Sequence, residues 1–138
     1  MLYGVIAVAQ IDQAKVPKGV QTAVQSKFSN ADVLDWYKVD DGYEANLDEE
    51  GESISAVFNN EGAFLYTYTS VSEEEVPESI INGVYSKYPD SYISESFRLD
   101  LASGNQYKLT VDVDGKTMIL IYDKSGKLVK SKEVAQEF

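Results

Sequence analysis

Residues 16–28 read Val-Pro-Lys-Gly-Val-Gln-Thr-Ala-Val-Gln-Ser-Lys-Phe, and residues 76–88 read Val-Pro-Glu-Ser-Ile-Ile-Asn-Gly-Val-Tyr-Ser-Lys-Tyr. Both stretches begin with Val-Pro, and proline suits the first turn of a helix because its φ angle is already near the helical value. Small or apolar residues then recur at i, i+3, i+4 and i+8, which is the spacing of one buried helical face. The sequence therefore predicts two amphipathic helices, with Val24 and Val84 buried.

Each predicted helix is followed by segments rich in β-branched and aromatic residues, with turn residues between them. These segments are residues 33–40, 43–48, 54–59 and 64–69 in the first half, and 93–100, 107–113, 117–123 and 128–131 in the second. The sequence thus predicts an α+β fold, a tandem duplication of a helix followed by four antiparallel strands, with the helices packed on one face of the sheet.

The predicted domains are residues 12–70 and 71–138. A unit of about 60 residues buries too little surface to be stable alone, so we expect the two units to share one sheet or one core. The offset between matching segments rises from 60 to 64 near residues 101–106. This insertion predicts a longer loop there than in the first half at residues 40–42.

Several short motifs recur in the same order in the two halves: Val16-Pro17 with Phe28, Trp36-Tyr37, Tyr43 and residues 57–62, then Val76-Pro77 with Tyr88-Pro89, Phe97, Tyr107 and residues 121–126. Taken together, these motifs resemble the PepSY-like family, whose tandem modules are similar to the β-lactamase-inhibitor-protein fold. The resemblance covers residues 16–133 and implies an exported protein that presents a sheet face to another protein. Ser96 stands where the first half has Trp36, which argues against a tryptophan-based site in the second half.

Composition excludes several classes of function. The chain has 12 Lys and Arg against 23 Asp and Glu, a net charge of −11, which argues against nucleic acid and favours a neutral or basic protein surface as partner. Its apolar runs are too short to predict a membrane span. The sequence lacks both His and Cys, and its Asp-rich turns lack the spacing of a calcium-binding loop. It therefore predicts no enzyme, no metal and no cofactor.

The first residues leave three interpretations open. Residues 2–9 end in Ala7-Val8-Ala9, which resembles the small-x-small site where a secretory signal is cleaved. The segment is then a signal remnant, an edge strand or a helical arm. The family resemblance implies export, so the predicted location is periplasmic or secreted.

Strict alternation along the first strand places Val33, Tyr37 and Val39 towards the core, and Trp36 outward. Tyrosine and tryptophan are the residues that most often anchor protein interfaces. The predicted partner-binding residues are Trp36, Tyr66, Tyr68, Lys38 and Arg98. The structural alternative is that Trp36 packs under the N-terminal segment or against the neighbouring module.

The function predicted from these features is a non-catalytic exported binding or inhibitory module that presents a β-sheet face to a protein partner. The alternative is a small-ligand or envelope-sensing module, and an enzyme is the third hypothesis. A similar fold does not by itself establish inhibition, since unrelated functions share folds.

Overall fold

The computed structural model describes residues 9–134. Its helices are α1 (Lys18–Lys27) and α2 (Glu78–Lys87), and its strands are β1 (Ala9–Ile11), β2 (Asp32–Val39), β3 (Gly42–Glu49), β4 (Glu52–Phe58), β5 (Phe64–Ser70), β6 (Tyr92–Leu101), β7 (Gly104–Val113), β8 (Lys116–Asp123) and β9 (Leu128–Val134). Contacts divide the described chain into two compact units, residues 9–68 and 69–134. Most of the proposed signal remnant, residues 1–8, lies outside the described residues.

The predicted fold class, an α+β tandem duplication of a helix followed by four antiparallel strands, is wrong. The nine strands of the described chain form one antiparallel sheet in the order β1 to β9, and the structure is mostly this sheet with two short helices. Strand β1 pairs with β2 and adds a strand ahead of the first helix. An unpaired strand edge exposes a row of N–H and C=O groups, so neighbouring strands gain by joining one ladder.

Helix α1 covers one face of the sheet in the first unit. It begins after Pro17, whose carbonyl oxygen accepts backbone hydrogen bonds from Val20 and Gln21 at 3.0 and 3.1 Å. Val20 and Val24 are buried, so the prediction for Val24 is confirmed. The core of this unit consists of Val16, Val20, Val24, Trp36, Ala45, Leu47, Ala56 and Phe58.

Helix α2 has the same relation to the sheet in the second unit. The carbonyl oxygen of Pro77 accepts backbone hydrogen bonds at the start of this helix. Ile80 and Val84 are its buried residues, which confirms the prediction for Val84. The core of this unit consists of Val76, Ile80, Val84, Ile93, Leu109, Val111, Leu120 and Tyr122. Among residues 9–134, no helix has the length and apolar character that crossing a membrane requires.

A β-bulge in β2 changes which residues face α1. The pairing of β2 with β3 shifts register between Val33 and Asp35 and leaves Leu34 as the extra residue. Because side chains alternate between the faces of a strand, one extra residue reverses every position that follows it. Trp36 therefore lies on the face that α1 covers, and the prediction that it points outward is wrong. The predicted inward orientation of Tyr37 is wrong for the same reason.

The β6–β7 hairpin is longer than the β2–β3 hairpin in its strands and not in its loop. Strands β2 and β3 contain 8 residues each, whereas β6 and β7 contain 10 each. Asp100 pairs with Asn105, and Leu101 pairs with Gly104. The prediction of a longer loop is wrong because the additional residues find cross-strand partners and extend the ladder.

Candidate functional site

Trp36 is a core residue. Only 4% of its surface is exposed, and it lies opposite Ala45 in the ladder, among the side chains that α1 covers. Its indole Nε1 has no hydrogen-bond acceptor among the described residues, so apolar packing alone holds the ring. A buried ring offers a partner almost no contact area, which favours the structural role that the sequence left open for Trp36.

Lys38 and Arg98 both interact with nearby residues. The Nζ atom of Lys38 donates to the carbonyl oxygens of Val39 and Gly42, both at 3.0 Å, and lies 4.8 Å from the centre of the Tyr43 ring. Lys38 thereby ties the end of β2 to the start of β3. The Nε atom of Arg98 lies 3.1 Å from a carboxylate oxygen of Asp100, and 39% of the Arg98 side chain is exposed.

Tyr66 and Tyr68 lie on the face of the sheet opposite α1. Tyr66 pairs with Val57 and Tyr68 pairs with Ser55, whereas the intervening Ala56 belongs to the core under the helix. The two rings lie 6.4 Å apart, and Tyr66 is buried while Tyr68 is half-buried. In the first unit the structure therefore places Trp36 and Tyr68 on opposite faces.

The buried carboxylate of Glu44 organises the face away from α1. Glu44 is 4% exposed, and the Tyr68 hydroxyl donates a hydrogen bond to it. Burial, followed by the negative charge of Glu44, holds the pKa of Tyr68 well above its usual value. Beside this pair, the Ser55 hydroxyl donates to Asn46 at 3.2 Å.

Tyr37 completes this face. It lies opposite Glu44 in the β2–β3 ladder and is half-buried. We call the set the tyrosine face, and its members are Tyr37, Glu44, Asn46, Ser55, Tyr66 and Tyr68. Its half-exposed rings are Tyr37 and Tyr68, whereas Tyr66 is buried. Accessible aromatic rings beside fixed polar groups are frequent at protein interfaces.

Sequence reasoning did not predict Tyr37 and Glu44 as members of the candidate site. It assigned Tyr37 to the core because strict alternation ignores the bulge at Leu34. No sequence signal pointed to Glu44, because a carboxylate on a strand is usually solvated. Tyr66 and Tyr68 of this face were predicted, because the composition is rich in tyrosine and both residues fall at outward or edge positions of the predicted strand.

The described residues show little sign of a small-molecule or metal site. Among residues 9–134, no group of three or more His, Cys, Asp or Glu is placed to hold a metal ion. Surface depressions of about 260–310 Å³ occur in both units, and the two of about 310 Å³ are lined largely by glutamates, such as Glu49 in the first unit and Glu73 in the second. Ligand pockets usually enclose about 300–1,000 Å³ and are mostly apolar, so these depressions lie at the lower limit of that range.

These features define a class of protein, a small antiparallel-sheet protein with two short helices whose candidate site is a sheet face. The chain belongs to the PepSY-like family, because the model of that family, described as "Putative beta-lactamase-inhibitor-like, PepSY-like", matches residues 6–65 and 43–130. The resemblance predicted from the sequence motifs is confirmed.

Solved structures from Bacteroides share this fold. A DUF2874 family protein from Bacteroides uniformis has a TM-score of 0.68 at 16% identity, with 85% of this chain and 88% of that chain covered. A BLIP-like protein from Bacteroides fragilis has a TM-score of 0.66 at 20% identity, with 88% and 89% covered. A structure named "putative periplasmic proteins" from Bacteroides eggerthii has a TM-score of 0.67 at 15% identity, with 86% and 88% covered.

None of these three proteins is named as an enzyme. None of the curated proteins matches this sequence.

Proposed function

We propose that the protein is an exported, non-catalytic module that binds another protein through its tyrosine face. The observation that supports this most is the arrangement of Tyr37 and Tyr68, two half-buried rings beside the buried carboxylate of Glu44. Tyrosine supplies a large contact area together with one hydrogen-bonding group, and such residues dominate the energy of many interfaces.

The tyrosine face is held in place before a partner arrives. Tyr37, Glu44 and Tyr68 all lie on paired strands, and the hydroxyl of Tyr68 bonds to Glu44. Binding to an ordered surface loses less conformational entropy than binding to a mobile one. The mechanism is therefore occlusion, in which a rigid sheet face covers a surface of the partner.

Charge favours a partner with a basic surface. The chain carries a net charge of −11, and acidic residues on the same face of the first unit include Asp35 and Asp48. Complementary charge speeds encounter between two proteins, and added salt weakens this effect. The association rate of the complex should therefore fall as ionic strength rises.

The relatives support both export and binding. The Bacteroides fragilis structure is named BLIP-like and the Bacteroides eggerthii structure is named as periplasmic. A β-lactamase is accordingly the first purified partner to test, and the periplasm is the compartment in which to search for others. The partner-binding role predicted for Trp36, Lys38 and Arg98 is not tested by their contacts and stays a prediction.

Site-specific photocrosslinking tests the proposal. A photoreactive benzoylphenylalanine replaces Tyr37 in one variant and Thr22, an exposed residue of α1, in the matched control. Both variants are irradiated with periplasmic extract of the native cells and with a purified β-lactamase. We expect one discrete adduct from the Tyr37 position and none from the Thr22 position. Equal adducts from both positions, or none from Tyr37, would contradict the proposal.

A further inference from the structure

Basic residues are concentrated near the end of this acidic chain. Five of its 12 Lys and Arg lie between residues 116 and 134, where the acidic residues are Asp123 and Glu133. Three of these lysines, Lys127, Lys130 and Lys132, are exposed and lie in β9 or directly before it. The local charge around β9 is therefore opposite in sign to that of the whole protein.

Strand β9 is also the last strand of the sheet. It pairs with β8 on one side, and no strand among residues 9–134 pairs with its outer edge. Lys130 lies opposite Ile121 and Lys132 lies opposite Ile119, so both lysines lie on the same face of the strand. The outer edge thus combines backbone hydrogen-bonding groups with two positive charges spaced two residues apart.

These lysines oppose pairing between two copies of the chain. An antiparallel pair of β9 strands centred on Ser131 would place Lys130 of each copy opposite Lys132 of the other. Like charges directly opposite each other destabilise a strand pair, and lysines on edge strands commonly prevent aggregation in this way. The same two charges would stabilise an incoming strand with acidic residues at alternate positions.

We propose that the outer edge of β9 is a second binding surface, which adds an extended, acidic segment of a protein partner to the sheet. Backbone hydrogen bonds supply affinity in strand addition, and alternate side chains supply specificity. Acidic side chains two residues apart in the segment lie beside Lys130 and Lys132. A lipid surface satisfies the two charges but not the row of backbone groups, which favours a peptide as the occupant.

The probe is a synthetic peptide of alternating glutamate and valine. It is as long as β9, which has 7 residues. Its controls are a peptide of the same charge with a central proline, which cannot form a regular strand, and vesicles of phosphatidylglycerol. The protein variants are Lys130→Glu/Lys132→Glu and the charge-matched Lys15→Glu/Lys18→Glu, in which both altered residues are exposed. Affinity is measured by calorimetry, folding by circular dichroism, and amide exchange across residues 128–134 by NMR.

We expect the alternating peptide to bind and to slow amide exchange in β9. Charge reversal at Lys130 and Lys132 should weaken binding by about tenfold or more, whereas reversal at Lys15 and Lys18 should change it by less than about twofold. Equal binding of the proline peptide, stronger binding to the vesicles, or unchanged exchange in β9 would overturn the proposal. Self-association that the alternating peptide does not displace would identify a second copy of the chain as the occupant instead.

Discussion

The cores of the two units solve the same packing problem with different side chains. In the first unit one row across the sheet consists of Trp36, Ala45 and Ala56, which lie opposite one another on β2, β3 and β4. In the second unit the corresponding row consists of Ser96, Leu109 and Leu120 on β6, β7 and β8. All six side chains are buried. A large residue beside two small ones is thus replaced by a small residue beside two of intermediate size.

The comparison indicates that the difference between Trp36 and Ser96 compensates for the different side-chain volumes of their neighbours. Protein interiors are close-packed, and cores tolerate exchanges that keep the total volume of neighbouring side chains. Considered without its neighbours, serine in place of tryptophan resembles the loss of a binding residue. The neighbouring residues change as well, from two alanines to two leucines, so the difference is a redistribution of side-chain volume within one row.

The largest expected effect is the loss of the tryptophan ring. Trp36→Ala should destabilise the protein by about 3–5 kcal/mol, because it removes a buried aromatic ring and leaves a cavity. Ser96→Ala removes a single oxygen atom and should cost no more than about 1.5 kcal/mol. Urea unfolding of both variants measures the difference. Similar losses in the two variants would show that the rows are not built as described.

The next effect concerns the neighbour of Trp36. Ala45→Leu inserts into the first row the side chain that Leu109 supplies in the second, and beside the intact Trp36 it should cost about 1–3 kcal/mol through overpacking. In the Trp36→Ala protein the same substitution should fill space and cost much less. A double-mutant cycle measures this coupling, which we expect to exceed about 1 kcal/mol. The exposed substitution Ala14→Leu is the control, and additive effects at Trp36 and Ala45 would contradict the exchange of volume.

The smallest expected effect is a change in folding stability that appears only at alkaline pH. It distinguishes the buried hydroxyl of Tyr68 from that of an exposed tyrosine. Burial and the charge of Glu44 raise the pKa of Tyr68, so the folded protein keeps this proton at pH values where the unfolded chain has lost it. This pKa shift makes its full contribution to the free energy of unfolding below about pH 10, the pKa of tyrosine in an unfolded chain. The contribution is lost as the pH rises further. Tyr68→Phe should therefore flatten the decline of stability above that pH.

Urea midpoints measured between about pH 8 and 11 test this prediction. Tyr92→Phe is the control, because Tyr92 is 65% exposed. The remaining decline in Tyr68→Phe includes Tyr122, whose pKa burial also raises. Parallel curves for wild type and Tyr68→Phe would show that the folded chain does not raise the pKa of Tyr68.

The sequence was sufficient to predict the helices and the position of most strands. Val20 and Val24 repeat with the helical period, and Pro17 marks the start of α1, so local signals agree with the fold. Strands such as β8 were predicted because β-branched and apolar residues cluster between turns. These features depend on residues close together in the chain.

The orientation of residues in β2 could not be predicted in this way. A bulge at Leu34 reverses the face of Trp36 and Tyr37, and no glycine or proline near Leu34 marks it. An edge strand was one of three interpretations of residues 2–9, and β1 could not be assigned because its three residues, Ala9–Ile11, are too few to show alternation. Both features depend on pairing with β2 or β3, which only the folded chain displays. The errors at Trp36 and Tyr37 in the candidate site follow directly from this bulge.

The most direct test of the claim that the tyrosine face binds a protein partner is an affinity measurement on two matched variants. The ligand is the partner captured by crosslinking at that face. Tyr37→Ala removes a half-buried ring from that face, whereas Thr22→Ala removes an exposed side chain from α1. Truncation of an interface anchor costs about 2 kcal/mol or more, so Tyr37→Ala should remain folded and bind roughly 30-fold more weakly. Thr22→Ala should bind as wild type does. Wild-type affinity in Tyr37→Ala, or an equal loss in Thr22→Ala, would contradict the tyrosine face as the binding surface.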